Sequence, residues 1–341
     1  MSITVRRAEG DELEQWDSYV NRSEQAGPFH QRAGLELLAE HTDSTLHPLV
    51  AYKGQQEVGI LPVFEQRKGP FTIVVTPPSH TEVYYLGAAL LDAHQLKQRK
   101  LERRNRRFVY TCNEWIEENL DPDLTHIRNT DRYLDHRPFK EKGYEVEPYY
   151  TYVTDLTPDV DDLLMALSSD ARSNVRNTDE DAYEIEIGGL DEATEIIDRV
   201  RERHEEQDTP YFIDDEYISR LYTSFPDGQV KPYTCYTADG EMAGGIVAIE
   251  HDDTVYRWQG GTKVDVEIPV NDLLDWHIME DAKSRGIKRY DLVGANQRRI
   301  CRYKSKFAPD LAAYHGARKR STRAEAVNAA RGLRELVPFP R

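Results

Sequence analysis

Residues 287–315 read IKRYDLVGANQRRICRYKSKFAPDLAAYH, and the pattern changes period twice. Tyr290 and Leu292 alternate with polar neighbours, the repeat of a strand. Gly294, Ala295 and Asn296 make a turn, and Ile300, Lys304 and Phe307 then recur at helical spacing. The expected order is strand, polar loop, short helix, strand. Lys304 falls on the apolar face of that helix or at its edge. An ammonium there is either a snorkelling cation, its stem over the core and its head in water, or a charge at the boundary of a low-dielectric interior, where its field is strong and its cost high.

Upstream, Pro269 opens a helix through Val270, Leu273, Leu274, Ile278 and Ala282, which Gly286 ends. A meander precedes it, with strands at Tyr233–Tyr236, Met242–Glu250 and Thr254–Gln259 and turns at Asp239-Gly240-Glu241 and His251-Asp252-Asp253. Helices are expected over 214–225 and 191–206. One more starts near Pro158-Asp159, with Val160, Leu164, Leu167, Ala171 and Val175 on one face. Arg172 and Arg176 share the neighbouring face at a spacing of four. They are either a clamp for a phosphate or carboxylate or ordinary basic residues near a helix C-terminus. A last helix is expected from Thr322, with Glu325 completing a capping box, ending before Pro338.

The N-terminal half echoes this order. His47 to Tyr52 with Glu57-Val58-Gly59 resembles Lys231 to Tyr236 with Glu241 to Gly244, and Arg137 to Lys142 resembles Arg302 to Phe307. Each half runs helices, meander, helix, strand, aromatic–lysine helix, strand. The helical segment Leu96 to Asn119 carries a dense basic run, Lys97 to Arg107, which is a solvated face or a contact for an anionic partner. We therefore expect a mixed α/β chain of two related units, 1–152 and 153–341. Each unit is a mostly antiparallel central sheet flanked by helices, with a cleft between the units.

Composition bounds the function. Of 341 residues, 39% are hydrophobic and 31% charged, enough apolar mass for two cores. The net charge of −17, spread along the chain, opposes nonspecific DNA binding and resembles the acidic proteins of salt-loving microbes. Cys112, Cys235 and Cys301 are widely spaced and odd in number, so reduced thiols are expected, with no disulfide framework and no metal site. No apolar run approaches the ~20 residues of a membrane span, and the N-terminus lacks a signal-type stretch. A cytoplasmic protein without a transmembrane anchor is expected.

Taken in order, these segments resemble the Fem peptidyltransferases, FemX and FemAB-like proteins built from tandem GNAT-type units. The resemblance runs through Trp16 to Gln31, Gly59-Ile60-Leu61-Pro62, Arg137-Pro138-Phe139 with Gly143-Tyr144, Thr151 to Leu156, Arg172 to Arg176, Pro269 to Gly286, Asp291-Leu292 and Tyr303 to Phe307. It implies transfer of an acyl or aminoacyl group to an amine acceptor of a cell-envelope or polysaccharide precursor. The donor would be acyl-CoA or aminoacyl-tRNA, with no bound cofactor. A non-catalytic GNAT-like binding or scaffold protein is the alternative. The resemblance puts Lys304 where the reacting carbonyl sits, with Tyr303 shaping the pocket. Arg203, Tyr211, Tyr256 and Asn296, with Arg172 and Arg176, are the candidate substrate contacts. One departure stands out. The segment Lys263 to Pro269, where GNAT enzymes cradle the CoA pyrophosphate, lacks glycine and is followed or occupied by Asp265, Glu267 and Asp272. Acids there repel a phosphate and argue against ordinary CoA binding at that position.

Overall fold

The computed structural model describes residues 2–262 and 266–331. In chain order the elements begin β1 (Ile3–Arg7), α1 (Asp11–Glu14), α2 (Trp16–Val20), α3 (Arg32–His41), β2 (Thr45–Lys53), β3 (Gln56–Lys68), β4 (Phe71–Thr76), β5 (Ala89–Leu90), α4 (Gln98–Leu120), β6 (Leu124–Asn129), α5 (Arg137–Glu141) and β7 (Glu145–Asp155). They continue α6 (Val160–Ala166), α7 (Ser169–Asn177), β8 (Tyr183–Ile187), α8 (Leu190–Glu206), α9 (Asp215–Ser224), β9 (Val230–Thr237), β10 (Met242–His251), β11 (Thr254–Thr262), α10 (Val270–Ser284), β12 (Arg289–Asp291), α11 (Arg298–Lys304), β13 (Asp310–Arg320) and α12 (Thr322–Arg331).

The chain divides into two units, one reaching to Tyr149 and resumed at Ala313, the other Tyr150–Ala312. The first has the strand order β1-β2-β3-β4-β6-β13, and the second β8-β9-β10-β11-β12-β7. In both, every neighbouring pair is antiparallel except the fourth with the fifth, β4 with β6 and β11 with β12. A parallel pair needs a crossover, and a helix supplies it each time, α4 in the first unit and α10 in the second. The repeat read from the sequence is thus a repeat of topology.

The sixth strand of each sheet is filled out of turn. β7, which follows α5, pairs with β12, and β13, which follows α11, pairs with β6. The expected unit 153–341 therefore differs at its C-terminal end, because from His315 to Arg320 the chain hydrogen-bonds to β6. Local periodicity predicts a strand there and is silent on which sheet receives it.

Each unit has its own core. Phe108, Cys112 and Ile116 project from α4 at helical spacing onto Leu49, Leu61 and Phe139. In the second unit Leu274, Ile278 and Ala282 of α10 pack with Ile246, Tyr290 and Phe307. Helix α8 lies close against its sheet, where a Cβ on Gly245 would come within 2.5 Å of the Ile196 side chain. That contact explains Gly245 in the interior of the strand.

Three local expectations change. The single helix expected from Pro158 through Val175 is two helices. Leu167 and Ser168 leave helical backbone, and Ser168 Oγ accepts the Ala171 N–H to start α7. The edge strand β8 lies where no strand was expected. Its Tyr183-Glu184-Ile185-Glu186-Ile187 alternation has the right period, but half of it faces solvent. The cap of the last helix is Ser321, whose Oγ accepts the Ala324 N–H, rather than Thr322 with Glu325. The expected end of that helix before Pro338 lies outside the described residues, as do Lys263, Val264 and Asp265 of the phosphate-loop position.

Candidate functional site

The stretch that starts with β12 forms the most constrained polar region of the second unit. Tyr290 and Asp291 are buried at the end of β12. Val293 and Gly294 follow with φ of 51° and 83°. Glycine accepts that region freely, but a β-branched valine does so only under external constraint, at a cost of about 1–3 kcal/mol. The constraints are visible. Asp291 Oδ1 accepts the Val293 N–H (2.9 Å) and the Thr151 hydroxyl (2.7 Å), and Thr151 Oγ1 accepts the Gly294 N–H (3.0 Å). Beyond the turn, Ala295 N–H donates to Tyr150 O (2.7 Å), and Asn296 exchanges two hydrogen bonds with the Tyr150 backbone.

The turn aims its two carbonyl groups at Lys304. From the last residue of α11, Nζ donates to Val293 O (2.6 Å) and Gly294 O (3.1 Å). The side chain is buried, with 9% of the residue's surface exposed. Burial is the main force that pulls the ammonium down to about 7. The positive charge of Arg257 adds to it, and Asp291 and Asp275 oppose it. Two of the three N–H groups are engaged by the backbone, which leaves one for a ligand.

A second constellation lies beside the first. Asp275, fully buried on α10, accepts Arg257 Nε (2.8 Å) and the hydroxyls of Tyr290 and Tyr303. Burial pulls the Arg257 guanidinium down, but Asp275 outweighs it and the net shift is upward. Burial, then Asp275, pushes both phenols well above their usual range. Arg257 comes from β11, where the register with β10 slips across Trp258, a bulge that re-aims neighbouring side chains. Next along, Lys306 Nζ bridges Asp170 (3.0 Å) and Asp272 (3.2 Å), and Asn174 Nδ2 also donates to Asp272 (2.7 Å). Asp272 therefore holds α7 against the turn after Lys304, in the first turn of α10.

The residues expected from the sequence are distributed around this frame. Lys304 and Tyr303 lie on the helix just described, and Asn296 lies on the loop before it. Tyr256 is half-buried on β11 and stands in register with Asp291. Tyr211 reaches the same strand further on, its hydroxyl donating to Gln259 Oε1 (3.3 Å) and its ring lying 4.8 Å from that of His204. Arg203 is exposed on α8. Arg172 Nη1 donates to Met165 O (2.7 Å) and Leu167 O (3.2 Å), closing the end of α6, and Arg176 Nη2 contacts Met165 Sδ at 3.5 Å. The sequence reading named none of Asp275, Arg257, Asp291 and Thr151 as site residues, although Thr151, Asp275 and Asp291 stand in segments that carry the resemblance. A signal existed for Asp275, an acid between Leu274 and Trp276 on a helix whose apolar residues leave no clear polar face.

Residues 168–305 match the family model described as acetyltransferase (GNAT) domain. No curated protein matches the sequence. Among solved structures, FemX is similar at 10% identity over 98% of this chain and 100% of that one, with a TM-score of 0.75. The C-terminal DUF2156 domain of a candidate lysylphosphatidylglycerol synthetase from Agrobacterium fabrum is similar at 12% identity over 96% and 99%, with a TM-score of 0.57. A tandem GNAT protein from the clavulanic acid biosynthesis pathway is similar at 11% identity over 94% and 98%, with a TM-score of 0.52. Identities this low speak for the fold, and the family model speaks for the second unit. Among the described residues no helix is long and apolar enough to cross a membrane. Residues 168–305 are thus similar to the acetyltransferase (GNAT) domain family, and the chain as a whole has the fold of FemX.

Proposed function

We propose that the chain transfers an acyl or aminoacyl group to an amine acceptor of a cell-envelope or polysaccharide precursor, with Lys304 as the catalytic cation. The observation that carries this reading is the Lys304 ammonium, buried and fixed by two carbonyl groups of a strained turn. When an amine attacks an ester or thioester carbonyl, the carbonyl oxygen gains charge. A preorganised ammonium in a dry site favours that charge by about 3–4 kcal/mol. Tyr303, locked on Asp275, sets the direction in which the lysine leaves α11. No cysteine or serine nucleophile is needed if the group passes directly from donor to amine.

The donor is open between acyl-CoA and charged tRNA. Asp272, buried in the first turn of α10 with Asn174 and Lys306 on its carboxylate, disfavours a CoA pyrophosphate at that helix end. A donor held by its acyl or aminoacyl end agrees better with that acid. The test is a thermal-shift screen of the full chain in high salt with acetyl-CoA and with charged tRNA. Transfer from the stabilising donor to a panel of primary amines then follows, comparing wild type with Lys304→Met. Loss of transfer in a folded variant supports the reading. Unchanged turnover removes Lys304 from the mechanism, and a protein stabilised by neither donor favours the binding-protein alternative.

A further inference from the structure

Thr151 belongs to the polar frame around Lys304, yet among the described residues no hydrogen bond joins the two side chains. It is fully buried on β7, two residues before Val153, which stands opposite Asp291. Its hydroxyl has one proton to give and lone pairs to receive. The proton goes to Asp291 Oδ1 (2.7 Å), and the Gly294 N–H comes in at 3.0 Å. Asp291 Oδ1 also takes the Val293 N–H (2.9 Å). One hydroxyl and one carboxylate oxygen therefore bind two consecutive N–H groups of the turn. The carbonyl groups of the same two residues accept from Lys304 Nζ.

Removing the hydroxyl has a defined consequence. Gly294 is buried, so its N–H would be left inside without that acceptor, and the buried Asp291 carboxylate would lose a donor. Less would then hold Val293 at a φ of 51°, which a β-branched residue avoids. Because each peptide unit is planar, relaxation of these dihedrals turns the carbonyl groups away from the ammonium.

The first unit supplies a comparison. Tyr290 packs into the core under α10 and Ile127 into the core under α4, so the next residues, Asp291 and Arg128, lie on the opposite faces of their sheets. Asp291 stands opposite Val153, and Arg128 opposite Gly316. Two residues before those partners come Thr151 and Tyr314. Arg128 donates to Pro77 O (3.4 Å) and has no acceptor to offer an N–H, and Tyr314 carries its hydroxyl at the far end of a ring. After β6 no residue from Asn129 to Asp135 has a positive φ, and Lys140 is exposed. The hydroxyl, the carboxylate and the left-handed turn thus occur together in the unit whose lysine is buried.

We propose, resting on Lys304 as the catalytic cation, that Thr151 is a positioning residue for the transfer. Its hydroxyl, through Asp291 and the Gly294 N–H, holds the turn that presents two carbonyl groups to the ammonium. The test has one arm without substrate and one with it. In the first, denaturant midpoints are compared for wild type, Thr151→Val, Lys304→Met and the double variant of the full chain. Thr151→Val should lower the midpoint less in the Lys304→Met background, where no ammonium is left to lose its acceptors. In the second, transfer is followed from acetyl-CoA or charged tRNA to a primary amine. Thr151→Val should lower kcat at least about tenfold while KM for the donor stays within about twofold. Thr151→Ser, which keeps the hydroxyl, should restore kcat to within about twofold of wild type. The loss of activity expected as pH rises through about 7 should move to lower pH in Thr151→Val, because the carbonyl groups favour the charged lysine. A residue needed only for folding would not move that limb. Thr151→Ala, which leaves room for a water, serves if the valine variant does not fold, with the same directions expected. Additive midpoints together with a wild-type kcat in Thr151→Val would overturn the proposal, while loss of transfer in Lys304→Met would leave the role of the lysine standing. Wild-type turnover in Lys304→Met would instead remove the catalytic lysine, and with it the positioning role.

Discussion

The two units carry the same short helix and use it differently. In α5, Phe139 is buried among Tyr133, His136 and Tyr144, and Lys140 points to solvent. In α11, Tyr303 delivers its hydroxyl to Asp275, and Lys304 is buried on two carbonyl groups. The crossover helices explain the difference. α4 places Asn105 in the interior, where it accepts from the Tyr133 hydroxyl and donates to Asp135 O (2.7 Å). α10 places Asp275, which needs a counter-charge and obtains one from Arg257. A buried amide is satisfied by neutral partners, whereas a buried carboxylate recruits cations and phenols around it. The topology is common to both units, and the two interiors differ in charge.

That contrast can be broken by mutation. Asp275→Ala strands the Arg257 guanidinium and two phenols, and should cost about 3–5 kcal/mol in denaturant unfolding. Asn105→Ala, which leaves neutral groups unpaired, should cost about 1–3 kcal/mol. A smaller loss at Asp275 than at Asn105 would mean that the two interiors are alike. Tyr303→Phe keeps the ring and removes one hydrogen bond to a charged acceptor, so about 1.5–3 kcal/mol is expected by the same measurement.

The pH dependence sharpens the comparison further. Lys304 titrates near 7 in the folded chain against an ordinary 10.5. Between those values the unfolded chain holds a proton that the folded chain lacks. The cost of the buried charge is therefore fully present below about 7 and is recovered as pH rises toward 10.5. Wild type should gain stability relative to Lys304→Met between pH 6 and pH 9 in paired thermal melts. A difference that is flat across that range would mean that the lysine keeps its proton throughout. The smallest effect belongs to the exposed partner, since Lys140→Met should change stability by no more than about 0.5 kcal/mol at either pH.

Much of the fold was legible because local periods repeat. The meanders, both crossover helices and the strand–loop–helix around Lys304 announce themselves in alternation and helical spacing, and the echo of one half in the other gave two units. The strand exchange was not legible, since β7 and β13 have the same local pattern whichever sheet they join. β8 was missed because an edge strand with glutamates on one face looks like a polar connector. At the site, the aromatic–lysine pair was visible, but its surroundings were not. Asp275 and Asp291 become meaningful only when β7, β11, β12 and α11 bring Thr151, Arg257 and the tyrosines to them. Arg172, whose spacing suggested a clamp, closes a helix break that the continuous apolar pattern had hidden.

The central claim is that Lys304 acts as a fixed cation on the developing oxyanion. The most direct measurement is the rate of transfer from the donor that stabilises the protein, across pH 6 to 9, for wild type, Lys304→Met and Lys304→Arg. The account predicts that Lys304→Met folds and loses at least ~10²-fold in kcat. It predicts that wild-type activity falls as pH rises through about 7, where the ammonium is lost. It also predicts that this descending limb disappears in Lys304→Arg, whose guanidinium does not titrate in that range. A Lys304→Met enzyme that turns over at the wild-type rate, with the same pH profile, would contradict it.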